Sequence, residues 1–306
     1  MSAPVAAIDC GTNTIKLLVA TPRDEGLDVA VRETRMVRLG QGVDATGRLA
    51  DDALDRAFAA LDDYAALVRE HDVDPGRIRF CATSATRDAA NAEVFRAGVR
   101  QRLGTEPEVL SGEEEGALAF DGALRGLPDD LPAPVLVLDV GGGSTELVLG
   151  ERGQIHAARS LDVGSVRLHE RHVHHDPPTD EEVAAVGRDV DAQLDGCDVP
   201  LGRAATVVGI AGTCTTLAAA VLDLPAYQAD VIDGSVHSLD DVRAAIDSVV
   251  ARTVEQRRAL PYLHPGRADV IDAGLVIVER VLARTTVTRL TVSESDILEG
   301  IAWSIA

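Results

Sequence analysis

Residues 139–146 read DVGGGSTE and lie between the apolar runs PVLVL and LVLG. A two-residue hairpin turn needs one or two glycines at positive φ, so three in a row exceed what the turn requires. Glycines let backbone N–H groups approach an anion closely, and a neighbouring acid can hold the metal ion that such an anion carries. Taken alone, the stretch leaves two interpretations open, a plain turn and a phosphate site.

The beginning of the chain repeats this pattern. Residues 9–14 read DCGTNT and also lie between apolar runs, VAAI and IKLLVA. Superposing Asp9 on Asp139 aligns the two stretches without a gap, at an offset of 130 residues (139 − 9). Each copy predicts a strand, an acidic turn rich in Gly, Thr and Ser, and a returning strand. Two such turns around one anion would supply two sets of backbone donors, hydroxyls and acids, which indicates a phosphate-and-metal site.

Composition and charge limit the classes of partner. The 306 residues are enough for two ordinary domains. Lys and Arg number 29 against 50 Asp and Glu, and the formal charge of −21 argues against nucleic acid and acidic membranes as partners. The four cysteines lack Cys-x-x-Cys spacing, which indicates reduced thiols. No signal peptide is evident and no apolar run approaches the ~18 residues of a membrane helix, so we expect a cytoplasmic protein.

The order of predicted elements divides the chain into two halves. The first hairpin is followed by a third strand, a helix over 51–71, and further strands and helices. The segment GLPDDLPAPV, residues 126–135, predicts a linker, and beyond it the order of hairpin, strand and helices starts again. We therefore predict an α/β protein with domains 1–126 and 127–306 and an active-site cleft between them. The sequence leaves open on which domain the last helix packs.

Eight motifs occur in one order along nearly the whole chain: DCGTNTIKLLV, ATSATRDAAN, LSGEEEGALAF, LDVGGGSTELV, DVGSVRL, GIAGTCTTLAA, GRADVIDAGLVI and VSESDILEG. Together they resemble the exopolyphosphatase/guanosine pentaphosphate phosphohydrolase family of the actin-like ATPase superfamily, in its short two-domain form. The resemblance implies two actin-like (ribonuclease H-like) domains, Mg²⁺ as cofactor, and release of the terminal phosphate from polyphosphate or guanosine pentaphosphate. Family members often dimerise, so a homodimer is a further expectation, and the short form implies a preference for short or medium polyphosphate chains.

The family motifs give roles to individual residues. The match places the catalytic base at Glu115, the third acid of SGEEEG, whereas Glu113 and Glu114 complement the dipole of a helix N-terminus. Arg87 matches the phosphate-binding arginine, and its planar donor fork suits phosphate oxygens.

The two turns supply the remaining candidates. The acids that flank the glycines, Asp139 and Glu146, are the expected metal ligands, with Asp9 in support. The expected phosphate-binding residues are the rest of both turns and two channel arginines: Gly11, Thr12, Asn13, Thr14, Gly141, Gly142, Gly143, Ser144, Arg38 and Arg267.

Departures from the family pattern keep other functions open. Ala117 and Leu298 stand where the family usually has arginine, which puts binding strength and chain-length preference in question. One alternative is an actin-like ATPase or sugar kinase, in which the same turns bind ATP and GIAGT, residues 209–213, imitates an adenosine loop. Another is a non-catalytic sensor of polyphosphate or of a guanosine alarmone. The histidines at 169–175 lack His-Glu-x-x-His spacing, and we expect no metal there.

Overall fold

The structure is a computed structural model that describes residues 2–24 and 26–306, apart from the side chain of Asp88. The strands are β1 (Val5–Cys10), β2 (Thr14–Arg23), β3 (Gly26–Met36), β4 (Ile78–Ala82), β5 (Glu108–Val109), β6 (Val135–Val140), β7 (Thr145–Glu151), β8 (Gln154–Leu161), β9 (Thr206–Ile210), β10 (Val236–Ser238) and β11 (Arg289–Val292). The helices are α1 (Val43–Thr46), α2 (Asp51–Glu70), α3 (Ser84–Asp88), α4 (Ala92–Leu103), α5 (Gly112–Arg125), α6 (Ser165–His172), α7 (Asp180–Asp195), α8 (Ala211–Val221), α9 (Ala229–Ile232), α10 (Leu239–Val250), α11 (Val254–Arg258), α12 (Ile271–Ala283) and α13 (Ile297–Ser304).

The chain separates into two compact units. Residues 2–122 together with 297–306 form the first unit, and residues 123–296 form the second. The units part within α5, whereas the predicted domain boundary lies at 126/127 and remains a prediction. The last helix, which that boundary assigns to the second domain, packs on β1, β2 and β4 of the first unit.

Both units are built on the same sheet topology. The first sheet has the order β3-β2-β1-β4-β5, in which β1, β2 and β3 are antiparallel neighbours and β4 and β5 continue parallel to β1. The second sheet repeats this order as β8-β7-β6-β9-β11 and adds β10, antiparallel, at its edge. The predicted α/β class and its duplicated ribonuclease H-like arrangement are confirmed.

The duplication extends to the register of single residues. Every cross-strand pair of β6 and β7 is a pair of β1 and β2 shifted by 130 residues (139 − 9): Asp9 lies opposite Lys16, and Asp139 lies opposite Glu146. The register shift of β2 against β3 recurs in β7 against β8 at positions that differ by the same number. The two acidic turns therefore occupy equivalent places in their sheets.

Apolar sequence explains why the central strands lie inside each unit. All residues of β1 (VAAIDC) and β6 (VLVLDV) are buried, as expected for strands that are covered on both faces. Helix α2 buries Leu54, Leu61 and Tyr64 against the first sheet, and burial of each such side chain contributes about 1.5–3 kcal/mol. The hydroxyl of Tyr64 donates to the carbonyl of Ile15 at 2.9 Å, so its polar end is satisfied inside the core.

A glycine sets the approach of the last helix. A β-carbon on Gly300 would overlap the carbonyl group of Leu118, so only glycine lets α13 pack this closely on α5. Within residues 2–24 and 26–306, the four cysteines form no disulfide, and no helix is both long and apolar enough to cross a membrane.

Candidate active site

The first turn, between β1 and β2, is held through its carbonyl groups. The Gly11 N–H donates to the Thr14 carbonyl at 2.9 Å and closes the turn. The N–H groups of residues 37, 38 and 40 then donate to the carbonyls of Thr12 and Asn13 at 2.8–3.0 Å. In a planar trans peptide the C=O and the following N–H point in opposite directions. The N–H groups of Asn13 and Thr14 therefore face away from residues 37–40, as anion binding requires.

The second turn, between β6 and β7, is held in the same way. The first N–H groups of α6 donate to its glycine carbonyls: Ser165 to Gly141 at 2.9 Å, and Val166 and Arg167 to Gly142 at 2.9 and 3.1 Å. Nε of Arg167 also donates to the Gly143 carbonyl at 2.8 Å. By the same peptide geometry, the N–H groups of residues 142–144 point to the opposite side of the turn.

The segments that hold the two turns, residues 37–40 and 164–167, each follow the third strand of their unit. Each contains a glycine with no space for a side chain. A β-carbon on Gly40 would overlap the Thr12 side chain, and one on Gly164 would lie 2.5 Å from the carbonyl carbon and oxygen of Gly142. Gly164 and Arg167 lie in the DVGSVRL motif, to which the sequence analysis gave no role. A comparison of the two repeats beyond their hairpins would have pointed to this segment, because each repeat has a glycine after its third strand.

The structure places Arg87 on the short helix α3, which is joined to the first turn. Oγ1 of Thr12 and Oγ of Ser84, the first residue of α3, are 2.9 Å apart. Nη1 of Arg87 donates to the Leu110 carbonyl at 2.7 Å and lies 3.7 Å from Oε2 of Glu115. The first unit thus brings together its glycine turn, Arg87 and Glu115.

The three acids of SGEEEG have three different surroundings at the start of α5. Glu113 is exposed. Oε2 of Glu114 accepts from the backbone N–H and the hydroxyl of Ser111 at 2.9 and 2.8 Å, a capping interaction whose backbone hydrogen bond lowers the pKa of Glu114. The Glu115 side chain is only 12% exposed and lies beside the Arg87 guanidinium. Among these acids Glu115 is the one beside the predicted phosphate-binding arginine.

Asp139 and Glu146 form a buried acid pair in the second unit. Direct cross-strand partners lie on the same face of a sheet, with β-carbons ~5 Å apart. Asp139 is 8% exposed, Glu146 is 2% exposed, and Oε1 of Glu146 accepts from the Ser160 hydroxyl at 2.8 Å. Mg²⁺ is commonly bound through one or two carboxylates, with waters and substrate phosphates completing its shell. This donor set fits Mg²⁺, and no group of three His, Cys, Asp or Glu that could hold a metal occurs in the part of the chain that the structure describes.

Asp9 has a different neighbour in the first unit. It lies opposite Lys16, whose Nζ is 3.7 Å from Oδ2 of Asp9. Arg38, predicted as a channel residue, adjoins the first turn through its backbone and has a φ of 51°, in the left-handed region that side-chain-bearing residues rarely adopt.

Arg267, the other predicted channel arginine, lies against the GIAGT segment. Its Nη1 donates to the Gly212 carbonyl at 3.1 Å. A β-carbon on Gly212 would overlap the Arg267 guanidinium. The space that the missing side chain of Gly212 leaves is therefore filled by Arg267.

The remaining positions of interest have structural partners. A ring nitrogen of each of three histidines lies close to an oxygen of a different carboxylate. The distances are 3.1 Å for His169, 2.9 Å for His172 and 2.8 Å for His175. Leu298 is 1% exposed in the packing of α13, where an arginine would have to bury its charge. Ala117 lies half-buried on α5, two residues after Glu115.

Comparisons with known proteins show what the chain is similar to. The Ppx/GppA phosphatase family model matches residues 18–306. Exopolyphosphatase 2 of Mycobacterium tuberculosis is 47% identical over 318 residues, which cover 99% of this chain and 98% of that protein. A crystal structure of an exopolyphosphatase-like protein superposes with a TM-score of 0.94 at 42% identity over 98% of both chains. A guanosine-5′-triphosphate,3′-diphosphate pyrophosphatase of Vibrio cholerae is 38% identical over 176 residues, 56% of this chain and 34% of that protein.

Proposed function

The chain belongs to the Ppx/GppA phosphatase family, and we propose that it hydrolyses the terminal phosphoanhydride of inorganic polyphosphate and releases orthophosphate. The observation that carries the proposal is the pair of equivalent turns whose carbonyls are held on one side, so that their N–H groups point to the other. The relative named exopolyphosphatase 2, matched along nearly the whole chain, supports polyphosphate as the anion.

The candidate site residues of the first unit each have a role in this reaction. The N–H groups of Asn13 and Thr14 bind oxygens of the terminal phosphate, and the Arg87 guanidinium neutralises charge on the same group. Glu115 orients a water molecule and accepts its proton as the water oxygen bonds to phosphorus. The bond to the bridging oxygen breaks, and the shortened polyphosphate leaves with the electron pair.

The second unit supplies metal binding and further N–H donors. Residues 142–144 offer three backbone N–H groups to phosphate oxygens. Asp139 and Glu146 would hold Mg²⁺, and the bound ion would neutralise phosphate charge that opposes attack by water. Ser160 orients the Glu146 carboxylate through its hydrogen bond.

ATP is a poorer candidate because of Arg267. A nucleotide bound against GIAGT would have to displace the guanidinium that fills the space beside Gly212. Guanosine pentaphosphate is the second candidate substrate, because it ends in the same phosphoanhydride and a partial match to a guanosine-5′-triphosphate,3′-diphosphate pyrophosphatase exists. From the family resemblance alone, we also propose a cytoplasmic homodimer.

Phosphate release from three substrates tests the proposal. Wild type, Glu115→Gln and Glu113→Gln are incubated with Mg²⁺ and, in turn, a short polyphosphate, guanosine pentaphosphate and ATP. We expect wild type to act on polyphosphate well above ATP, and Glu115→Gln to lose roughly 10²–10⁴-fold in kcat, the range for a general base. Glu113→Gln, the same exchange at an exposed neighbour, should stay within about twofold of wild type.

Three results would overturn parts of this proposal. Release from ATP alone would favour an ATPase. Tight polyphosphate binding without turnover in wild type would favour a sensor. Near-normal turnover by Glu115→Gln would remove Glu115 as the base.

A further inference from the structure

One pair of equivalent positions in the two hairpins carries opposite charges, Lys16 on β2 and Glu146 on β7. In the first unit Asp9 lies opposite Lys16, and in the second unit Asp139 lies opposite Glu146, 130 residues later (139 − 9). Strand, turn and register are otherwise the same in both hairpins. The first pair is therefore formally neutral, whereas the second carries two negative charges.

The Asp9–Lys16 pair is largely withdrawn from solvent. The Lys16 side chain is 12% exposed, the Asp9 side chain is 8% exposed, and Nζ lies 3.7 Å from Oδ2. At this burial an ion pair is screened much less by salt than a surface pair. A positive charge thus lies beside the first turn, on β2, at the position where β7 has a second acid.

The composition singles out this lysine. Of the 29 basic residues, Lys16 is the one lysine in the sequence, and all others are arginine. A chain that uses arginine at every other basic position still has an ammonium group here. An ammonium is a compact point charge, whereas a guanidinium is a wide planar fork, so the two are not interchangeable at an enclosed site. Lys16 thus places a compact positive charge beside Asp9.

We propose that Lys16 is a built-in cation that takes, at Asp9, the place that the divalent metal takes at Asp139 and Glu146. The inference deepens the proposed function and rests on it for the metal site of the second turn. The first turn then binds phosphate without a metal ion of its own, and Asp9 positions Lys16 instead of serving as a metal ligand. Of the two turns, the second then holds a divalent cation and the first does not.

Direct counting of bound Mn²⁺ tests this inference without any turnover. Electron paramagnetic resonance of free Mn²⁺, in about 100 mM KCl to suppress weak surface binding, gives the number of ions per chain and their affinity. We expect one ion in wild type and in Asp9→Asn, with affinity changed less than about threefold. Asp139→Asn should weaken binding by about 10-fold or more, the loss typical when a metal site is disrupted.

The variant that reverses the charge at position 16 discriminates best between the two outcomes. Lys16→Glu gives the first pair the same charges as the second, so we expect a second Mn²⁺ ion to bind. Arg35→Glu, the same charge change at an exposed residue of β3, is the control and should still bind one ion. One bound ion in folded Lys16→Glu, or an equal loss of affinity in Asp9→Asn and Asp139→Asn, would overturn the inference.

Lys16→Arg keeps the measurement decisive if Lys16→Glu does not fold. This variant should still bind one Mn²⁺ ion, while its kcat/KM for polyphosphate falls by about 10-fold or more because the planar group cannot replace the ammonium. Unchanged kcat/KM would contradict the size argument. Since the ion count does not depend on hydrolysis, a protein that proves inactive on polyphosphate would refute the proposed function and leave the Mn²⁺ result standing.

Discussion

Three consecutive acids at the start of α5 show how much a single residue position decides. Successive side chains on a helix are rotated by ~100°. Glu113 therefore faces solvent, Glu114 reaches back to cap the helix at Ser111, and Glu115 turns inward beside Arg87. Chemistry alone would not distinguish three identical carboxylates; the family motif proposes Glu115, and its direction and burial support that choice.

Arg87 supports the first prediction. Its guanidinium bonds the Leu110 carbonyl with Nη1 and keeps further donors for phosphate, a geometry that a methionine of similar length cannot provide. We expect Arg87→Met to lower kcat/KM for polyphosphate by the equivalent of about 1.5–3 kcal/mol, the range for a charge-assisted hydrogen bond. Steady-state phosphate release measures this loss. Arg48→Met, at an exposed arginine, is the control, and an equal loss in both variants would contradict a direct role for Arg87.

The sequence predicted some of these residues and not others. Asp9 and Asp139 and their glycines were found because they recur at one spacing, and Glu115 because it lies in a recognisable motif. Arg167 was given no role, since the carbonyl that it binds lies 24 residues away on another element. Lys16 was visible as the single lysine, but its pairing with Asp9 needed the strand register. Contacts across the sheet are the information that local patterns lack.

At the scale of elements, each glycine turn depends on a second segment that holds its carbonyls. In the second unit this segment is the first turn of α6, whose N–H groups have no partners within the helix itself. The carbonyls of Gly141 and Gly142 accept these bonds, so the same contacts begin the helix and shape the turn. Anything that moves the start of α6 should therefore move the turn.

Gly164→Ala tests this coupling. Gly164 has φ −152° and ψ 161°, an extended conformation that alanine adopts freely, so any effect comes from the overlap with Gly142. We expect a loss of about 1–3 kcal/mol in the free energy of unfolding from overpacking. We also expect a disproportionate fall in polyphosphate kcat/KM. Urea unfolding and phosphate release measure the two effects.

Gly196→Ala is the matched control for that substitution. Its nearest neighbour would be the Gln193 carbonyl at 3.7 Å, an ordinary contact, and its φ of −88° suits alanine. Unfolding and activity should both stay near wild type. If Gly164→Ala behaved like this control, the proposed support of the turn by α6 would be refuted.

A capping box on α7 predicts how stability depends on pH. The Glu182 carboxylate accepts from the backbone N–H and hydroxyl of Thr179 and the N–H of His174, and lies 2.8 Å from Nδ1 of His175. These bonds, the Thr179 backbone bond foremost, lower the pKa of Glu182 from 4.5 to about 2. A lowered folded-state pKa means that the carboxylate stabilises the fold above about pH 4.5, and that this contribution is lost as the pH falls toward 2.

Glu182→Gln should therefore be less stable than wild type at pH 7, and the difference should shrink as the pH falls below about 4.5. Urea unfolding at a series of pH values measures it. Glu181→Gln, at an exposed neighbour on the same helix, should show a smaller difference at pH 7. A difference for Glu182→Gln that stays constant down to the lowest accessible pH would contradict the capping role.

Long elements were predictable from the sequence, and several short ones were not. The expected helix over 51–71 is α2, and the strand expected after the second hairpin is β8. The short elements α1, α9, α11 and β10 were missed, because three to five residues are too few to show a period of 3.6 or 2. Arg87 lies on α3, a helix of five residues that begins two residues after β4 ends at Ala82. Elements this short depend on tertiary contacts, which a local sequence pattern does not contain.

At the scale of the whole molecule, duplication and charge act together. One hairpin design is used twice, and the residue at the equivalent position, Lys16 or Glu146, makes one copy neutral and the other acidic. The chain as a whole carries a formal charge of −21, so a polyphosphate substrate is repelled at long range and attracted only close to the arginines and the metal. Binding then depends on how far the repulsion extends.

Ionic strength changes that distance in a measurable way. Charges interact over ~30 Å at 0.01 M salt and over ~10 Å at 0.1 M salt. Screening should shorten the reach of the −21 charge more than it weakens the partly buried contacts of Arg87, whose side chain is 29% exposed. At constant free Mg²⁺ we therefore expect kcat/KM for polyphosphate to rise between about 10 and 100 mM KCl, with little change in kcat.

Tetramethylammonium chloride should act like KCl, because screening does not depend on the cation. A steep fall in kcat/KM over the same range would mean that exposed arginines capture the substrate from a distance, in contradiction to the local binding that the charge and the two turns predict.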